Sequence, residues 1–201
     1  MTVTTAHTLA AAPPAAPAAA AATRERGATV WLTGLPSAGK TTLARAVAER
    51  LTATGRRTEV LDGDEIRRFL SQELGFTRAD RHTNVTRIGF LAQRLASHGV
   101  LVLAPVIAPY TASRAAVRDR HAAAGTAYLE VHVATPVEVC SVRDVKGLYA
   151  RQAAGELTGL TGIDDPYEEP DAPELRIRTE GRSVADTAAE LHAFLAERGL
   201  A

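Results

Sequence analysis

From residue 28 onward the chain reads as an α/β protein: a parallel five-stranded sheet with helices on both faces and a lid segment. Three observations predict this. Short apolar runs alternate with amphipathic segments, the pattern of a sheet covered on both sides. Gly34-Leu35-Pro36-Ser37-Ala38-Gly39-Lys40-Thr41 matches G-x-x-x-x-G-K-[ST] and falls between a strand signal and a helix signal. Asp62-Gly63-Asp64 leaves the carboxyl end of the second strand, where open parallel sheets gather ligands.

Ala28 to Thr33 predicts the first buried strand and Lys40 to Ala53 its helix, ended near Gly55. Thr58 to Leu61 predicts a second strand. Ile66 to Leu74 and Val85 to His98 read as helices, the latter with Ile88, Leu91, Ala92 and Leu95 on one face before Gly99. Val100 to Val106 is the most apolar run and is expected to be the central strand, followed by a helix over Ser113 to Ala124. Ala127 to Val133 predicts a fourth strand, and Pro136 opens a short helix, as a proline at the N-terminus can. From Asp144 to Pro173 periodicity fades into glycines and prolines, the mark of a functional lid or a disordered segment. Leu175 to Ile177 forms the last strand, and Ser183 caps a closing helix that runs to Arg198.

The 201 residues suffice for one domain, residues 27–201, with a lid over about 144–173. Residues 1–26, mostly Ala, Pro and Thr, read as a disordered tail, since Pro13, Pro14 and Pro17 interrupt any signal-peptide core. Acidic and basic residues balance at 23 each, so no global field points to nucleic acid or an anionic membrane. No stretch approaches the roughly 20 apolar residues of a membrane helix. The single cysteine, Cys140, excludes an intramolecular disulfide and suits a reducing cytoplasm; it reads as a small buried core residue.

Only two lysines occur, Lys40 and Lys146, and only one asparagine, Asn84. In the loop Gly34, Leu35, Pro36, Ser37, Ala38, Gly39, Lys40, Thr41 and Thr42, backbone N–H groups and a helix N-terminus would wrap nucleotide phosphates. Lys40 would reach the terminal phosphates, and the Thr41 hydroxyl would ligate magnesium. A GTP-reading N-K-x-D motif is impossible with Asn84 as the sole Asn, which favours ATP. The run ending in Ala104-Pro105 lacks the Asp common in mechanical ATPases, so a P-loop NTPase-type small-molecule kinase fits better than a motor. Asp62 and Asp64 can serve a magnesium-bound water and an acceptor hydroxyl, or Asp64 can simply cap the next helix. Arg67, Arg81 and Arg114 occupy plausible rim positions for phosphate or sulfate, and Phe76 either stacks on a base or packs locally.

Together these motifs resemble the adenylyl-sulfate kinase family over about Val30 to Phe194. The resemblance is carried by Gly34 to Thr42, Leu61-Asp-Gly-Asp64, Gly75-Phe-Thr-Arg-Ala-Asp-Arg-His-Thr-Asn84, Pro109-Tyr110, Asp144-Val-Lys-Gly-Leu-Tyr149 and Thr161-Gly-Ile-Asp-Asp-Pro-Tyr-Glu-Glu-Pro170. It implies transfer from ATP, with magnesium, to the 3′-hydroxyl of adenosine 5′-phosphosulfate. It implies an adenine on Phe76, with Arg67, Arg81 and Asn84 on the phosphosulfate or ribose. Lys146 would face the transferring phosphate and Asp64 the 3′-hydroxyl, giving Lys40, Asp64 and Lys146 as the catalytic set. Asp62, Ile107, Ala108, Leu148 and Leu160 complete the acceptor pocket so implied, and the protein is expected to be a cytoplasmic homodimer.

Three positions depart from the family pattern. Ala108 and Thr111 replace the Ser and Arg of Ser-Pro-Tyr-Arg, and Leu160 replaces a Phe. Without the serine a phosphoserine route has no basis, and direct in-line transfer is expected. All three changes fall on the acceptor side, which keeps two other readings in play: a kinase for another 5′-substituted nucleoside, of sulfamoyl or phosphoramidate type, and a catalytically silent nucleotide-binding regulator.

Overall fold

Strand β1 (Ala28–Thr33) is the middle strand of the computed structural model, which describes residues 26–201. It lies in a five-stranded sheet of order β2-β3-β1-β4-β5, with β2 (Thr58–Val60), β3 (Leu101–Pro105), β4 (Ala127–Val133) and β5 (Leu175–Ile177), every pairing parallel. The expectation that the run around 101–105 is central is therefore corrected: β3 stands second, between β2 and β1. Both β1 and β3 are buried along their whole length, and apolarity reports burial on two faces, not rank in the sheet. The tail reading of residues 1–26 lies, Arg26 apart, outside the described residues.

The alternation of side chains along the strands builds two cores. Ala28, Val30 and Leu32 of β1, with Leu101 and Leu103 of β3, pack on one face beneath α1 (Lys40–Ala53) and α7 (Val184–Ala196). Trp31, Val102 and Ala104 turn to the other face, under α3 (Arg78–Ala96) and α4 (Thr111–Ala123). Thr29 also points that way, where its hydroxyl meets His121 Nε2 at 2.8 Å and satisfies a polar pair that is fully buried. Cys140 is fully buried in the first core, as expected of a structural thiol.

Helix boundaries depart from the sequence reading where function intervenes. α2 (Gly63–Leu70) begins before the expected Ile66, because Asp62 caps it through the N–H groups of Asp64 and Glu65. The capping alternative raised for Asp64 thus belongs to Asp62. α3 starts at Arg78, a full two turns ahead of Val85, with the Thr77 hydroxyl accepting from Asp80 N. Its polar opening turns carry no hydrophobic period, so that signal could not mark them. Ser183 caps α7 as expected, accepting from Asp186 N at 3.1 Å. After α5 (Val137–Arg143), the segment read as irregular holds a short helix, α6 (Leu148–Ala153).

A candidate active site at the carboxyl edge of the sheet

The turn after β1 is shaped by a residue that must lack a side chain. Gly34 adopts φ 154°, and a Cβ there would come within 2.5 Å of Val133 O. Gly39, at φ 99°, then opens α1 with no side-chain cap and no acidic residue in the first turn. The N–H groups of that turn, with the helix dipole behind them, suit an anion. Lys40 Nζ donates to Gly34 O at 2.9 Å and Leu35 O at 2.7 Å, so the ammonium is held against the loop. Burial pushes its pKa down to about 7; nearby Lys146 adds to the fall, while Cys140 and Asp62 oppose it.

The loop is anchored from below. The carbonyl of Ala38 accepts from Thr135 Oγ1 at 2.9 Å, from Thr179 Oγ1 at 3.3 Å and, more weakly, from Arg143 Nη1 at 3.5 Å. Arg143 also donates to Thr179 Oγ1 and Thr179 O at 2.8 and 3.1 Å. Beside the loop, the Thr41 hydroxyl donates to Asp62 Oδ2 at 3.0 Å. Asp62 is therefore tied to Thr41 beside the loop and does not itself line the cavity described below.

The segment after α5 touches α2 at one point and the phosphate loop at another. Lys146 forms an ion pair with Asp64, at the start of α2. Tyr149 OH donates to Pro36 O at 3.1 Å. The lid turn is fixed by Asp144, a non-glycine residue at φ 25°, whose carboxylate accepts from Tyr149 N and Ala150 N at 3.1 and 3.0 Å and so caps α6. Desolvation raises the Asp144 pKa, but the N–H groups of Ala150, Tyr149 and Leu148 outweigh it and hold the carboxyl below its usual range.

At the other end Arg67 lies over the Phe76 ring, its guanidinium 4.3 Å from the ring centroid, and also donates to Leu74 O at 2.8 Å and Gly75 O. Phe76 is 64% exposed, so Arg67 packs on the ring while much of the residue stays open to solvent. Arg81 donates to Phe76 O, Thr161 Oγ1 and Gly159 O and pairs with Asp165 at 3.3 Å, tying α3 to the distal lid. Asn84 is buried, and its Oδ1 has no hydrogen-bond partner among the described residues. An unpaired buried acceptor on a cavity wall is a position that a ligand donor would satisfy.

These groups wall one cavity of about 680 Å³. Of the residues expected from sequence, Gly34, Leu35, Ala38 and Asp62 stand behind the wall; the others, Arg114 apart, line it, including Thr42, Ile107, Ala108, Leu148 and Leu160. Arg114 does not serve the rim. It is buried in an ion pair with Glu130, Nε to Oε1 2.7 Å, because α4 turns that face toward β4. Sequence reasoning missed Arg143, Thr179, Arg182 and Val184, which line the cavity too. Arg143 adjoins the Asp-Val-Lys motif and could have been found by adjacency; the loop from Thr179 to Val184 carries no motif.

Comparison with known proteins agrees with this geometry. The family model described as adenylylsulphate kinase matches residues 26–178. An adenylyl-sulfate kinase from Synechococcus sp. (strain JA-3-3Ab) is 53% identical over 161 residues, 80% of this chain and 89% of that protein. One from Myxococcus xanthus (strain DK1622) is 49% identical over 177 residues, 88% and 95% of the two chains. Among solved structures, the Mycobacterium tuberculosis APS kinase CysC in complex with AMPPNP and APS superposes with a TM-score of 0.83 at 45% identity, covering 86% of this chain and 99% of that one.

Proposed function

Because the chain belongs to the adenylyl-sulfate kinase family, we propose that it transfers the γ-phosphoryl group of ATP to the 3′-hydroxyl of adenosine 5′-phosphosulfate, giving 3′-phosphoadenosine 5′-phosphosulfate and ADP. The observation that carries this reading is a single cavity whose wall holds both the phosphate loop and the Arg67, Phe76 and Asn84 cluster, with Lys146 and Asp64 paired on it. AMPPNP and APS in the similar mycobacterial structure are nucleotides of the same two kinds.

In this mechanism ATP phosphates lie on the loop N–H groups and the N-terminus of α1, with Lys40 drawn onto the terminal phosphates. Acceptor adenine stacks on Phe76, and Asn84 Oδ1 takes a hydrogen bond from the nucleoside. Lys146 exchanges Asp64 for the phosphate in transfer, which leaves the Asp64 carboxylate to orient the 3′-hydroxyl and receive its proton. The new 3′-O–P bond forms in line as the bond to the β,γ-bridging oxygen breaks. Ala108 offers no hydroxyl, so no protein phosphoester intervenes at that position.

The residues fit a magnesium ion of the kind that relies on substrate oxygens. Among the described residues no cluster of three or more His, Cys, Asp or Glu side chains could cage a metal. The Thr41 hydroxyl and Asp62 carboxylate present two hard oxygens instead, the donor set magnesium takes alongside phosphates and waters. When bound, the ion would neutralise charge on the β- and γ-phosphates. A cytoplasmic homodimer belongs to the same proposal, resting on the family resemblance and the reduced, buried Cys140.

The test is magnesium-dependent transfer from ATP to adenosine 5′-phosphosulfate with the product identified by mass, beside adenosine monophosphate and 5′-sulfamoyladenosine as acceptors. Formation of the 3′-phosphorylated phosphosulfate is expected. Turnover of another acceptor alone would assign a different nucleoside, and no turnover with any would leave a nucleotide-binding regulator.

A further inference from the structure

Three consecutive carbonyls in the loop after β3 are each taken by a different part of the fold. Ile107 O accepts from Thr33 Oγ1 of β1 at 2.6 Å, Ala108 O from Arg114 Nη1 of α4 at 2.8 Å, and Pro109 O from Glu168 N of the lid at 2.8 Å. Within this loop Ala108 is buried and left-handed, at φ 43°, a conformation that a side-chain-bearing residue keeps only where its surroundings enforce it. The enforcing group is itself enforced. Arg114 Nε pairs with Glu130 Oε1 at 2.7 Å; Glu130 Oε2 meets Arg118 at 3.3 Å; and Arg118 forks onto Glu174 at 2.6 and 2.9 Å. Glu174 also accepts from Glu130 N at 2.6 Å, closing the network on the sheet.

We infer that Arg114 and Glu130 are positioning residues for the acceptor: a buried ionic brace that holds Ile107 and Ala108 in the left-handed turn that walls the acceptor end of the cavity. The inference rests on the acceptor reading given above. Arg114 touches no substrate in this scheme and acts only through the loop. An alanine methyl can offer the nucleotide no polar contact, so the backbone shape at 107–108 is what this chain has to offer there. A guanidinium is required because one cation must lie against the Glu130 carboxylate while its two terminal nitrogens donate to the Ala108 carbonyl and, at 3.2 Å, to Thr111 Oγ1, a span that a single ammonium does not cover.

Steady-state kinetics on the full chain, with ATP and adenosine 5′-phosphosulfate varied in turn, test it. Arg114→Lys keeps the charge but loses the fork. It is expected to raise the acceptor KM about tenfold and leave the ATP KM within about twofold. Adding Ala108→Gly, which lets the turn form without enforcement, is expected to bring the acceptor KM of the double variant to within about threefold of Ala108→Gly alone. Equal rises in both KM values, no rise, or a failure of glycine to rescue would overturn the inference. Should Arg114→Lys not fold, Glu130→Gln, which preserves shape and removes the charge, carries the same expectations. Amide exchange over residues 105–111 separates this inference from the acceptor reading. If the unmodified chain does not turn over the phosphosulfate, exchange accelerated by Arg114→Lys still supports the brace, and unaltered exchange refutes it.

Discussion

Binding of ATP should consume a proton at Lys40. Burial holds this ammonium at a pKa of about 7 against 10.5 for a free lysine. Phosphate oxygens arriving beside it favour the charged form. With Lys40 charged throughout in the complex, affinity follows the protonated fraction of the free protein: about one half at pH 7 and about one eleventh at pH 8. The apparent Kd for magnesium-ATP is expected to rise about fivefold between those pH values, or about 1 kcal/mol, with proton uptake growing from about 0.5 to about 0.9 per nucleotide. Calorimetric titration in two buffers of different ionisation enthalpy measures both quantities. Lys40→Arg, permanently charged, should flatten the pH dependence. Uptake near zero at pH 8, or uptake that persists in Lys40→Arg, would refute the reasoning. The sign for stability runs the other way. Between about pH 7 and 10.5 the unfolded chain binds more protons at Lys40 than the folded one, so the nucleotide-free protein gains stability as pH rises through that window and loses it as pH falls.

The same desolvation predicts that Lys40→Met abolishes transfer yet leaves the nucleotide-free protein as stable at pH 7 or more so, by up to about 1 kcal/mol; a lowered thermal midpoint would contradict it. Lys146→Ala breaks an ion pair whose side chains are more than half exposed, so the midpoint should hardly move while kcat falls by about 100-fold or more, and unchanged turnover would remove Lys146 from the chemistry. Leu160→Phe restores an aromatic wall and should tighten acceptor binding by about 1 to 3 kcal/mol, an effect read directly in the acceptor Kd and absent if the ring cannot stack. As a packing control, Ile88→Ala empties a fully buried site beneath α3 and should cost about 2 to 5 kcal/mol in denaturant unfolding.

Much of this molecule was legible in the residues, and the exceptions have physical causes. β1, α1, β4 and β5 fall where apolar runs and punctuation place them, because each element's burial is written in its own local pattern. The opening turns of α3 were hidden because Arg81 and Asn84 there serve the cavity and its lid, and functional side chains erase the hydrophobic period. α6 is too short to show a period and depends on the Asp144 cap. Of the three arginines read as rim groups, Arg67 and Arg81 line the cavity and Arg114 is buried, a distinction that depends on a partner, Glu130, on another element. Local sequence cannot supply it. The retained motifs identified the family, while the cavity end beside Thr179 and Arg182 had no motif to announce it.

The hydrogen bonds to the Ala38 carbonyl also bear on the order of events at birth. Among the described residues the phosphate loop is synthesised early, yet its anchors lie 97 residues downstream at Thr135 and 141 downstream at Thr179. β1, as the middle strand, must also wait for β3 on one side and β4 on the other. The nascent chain therefore carries the complete loop sequence long before it can hold that loop in shape. Nucleotide affinity arrives late, after β5 emerges, and a chain stalled before Thr179 should retain no tight ATP on an arrested ribosome.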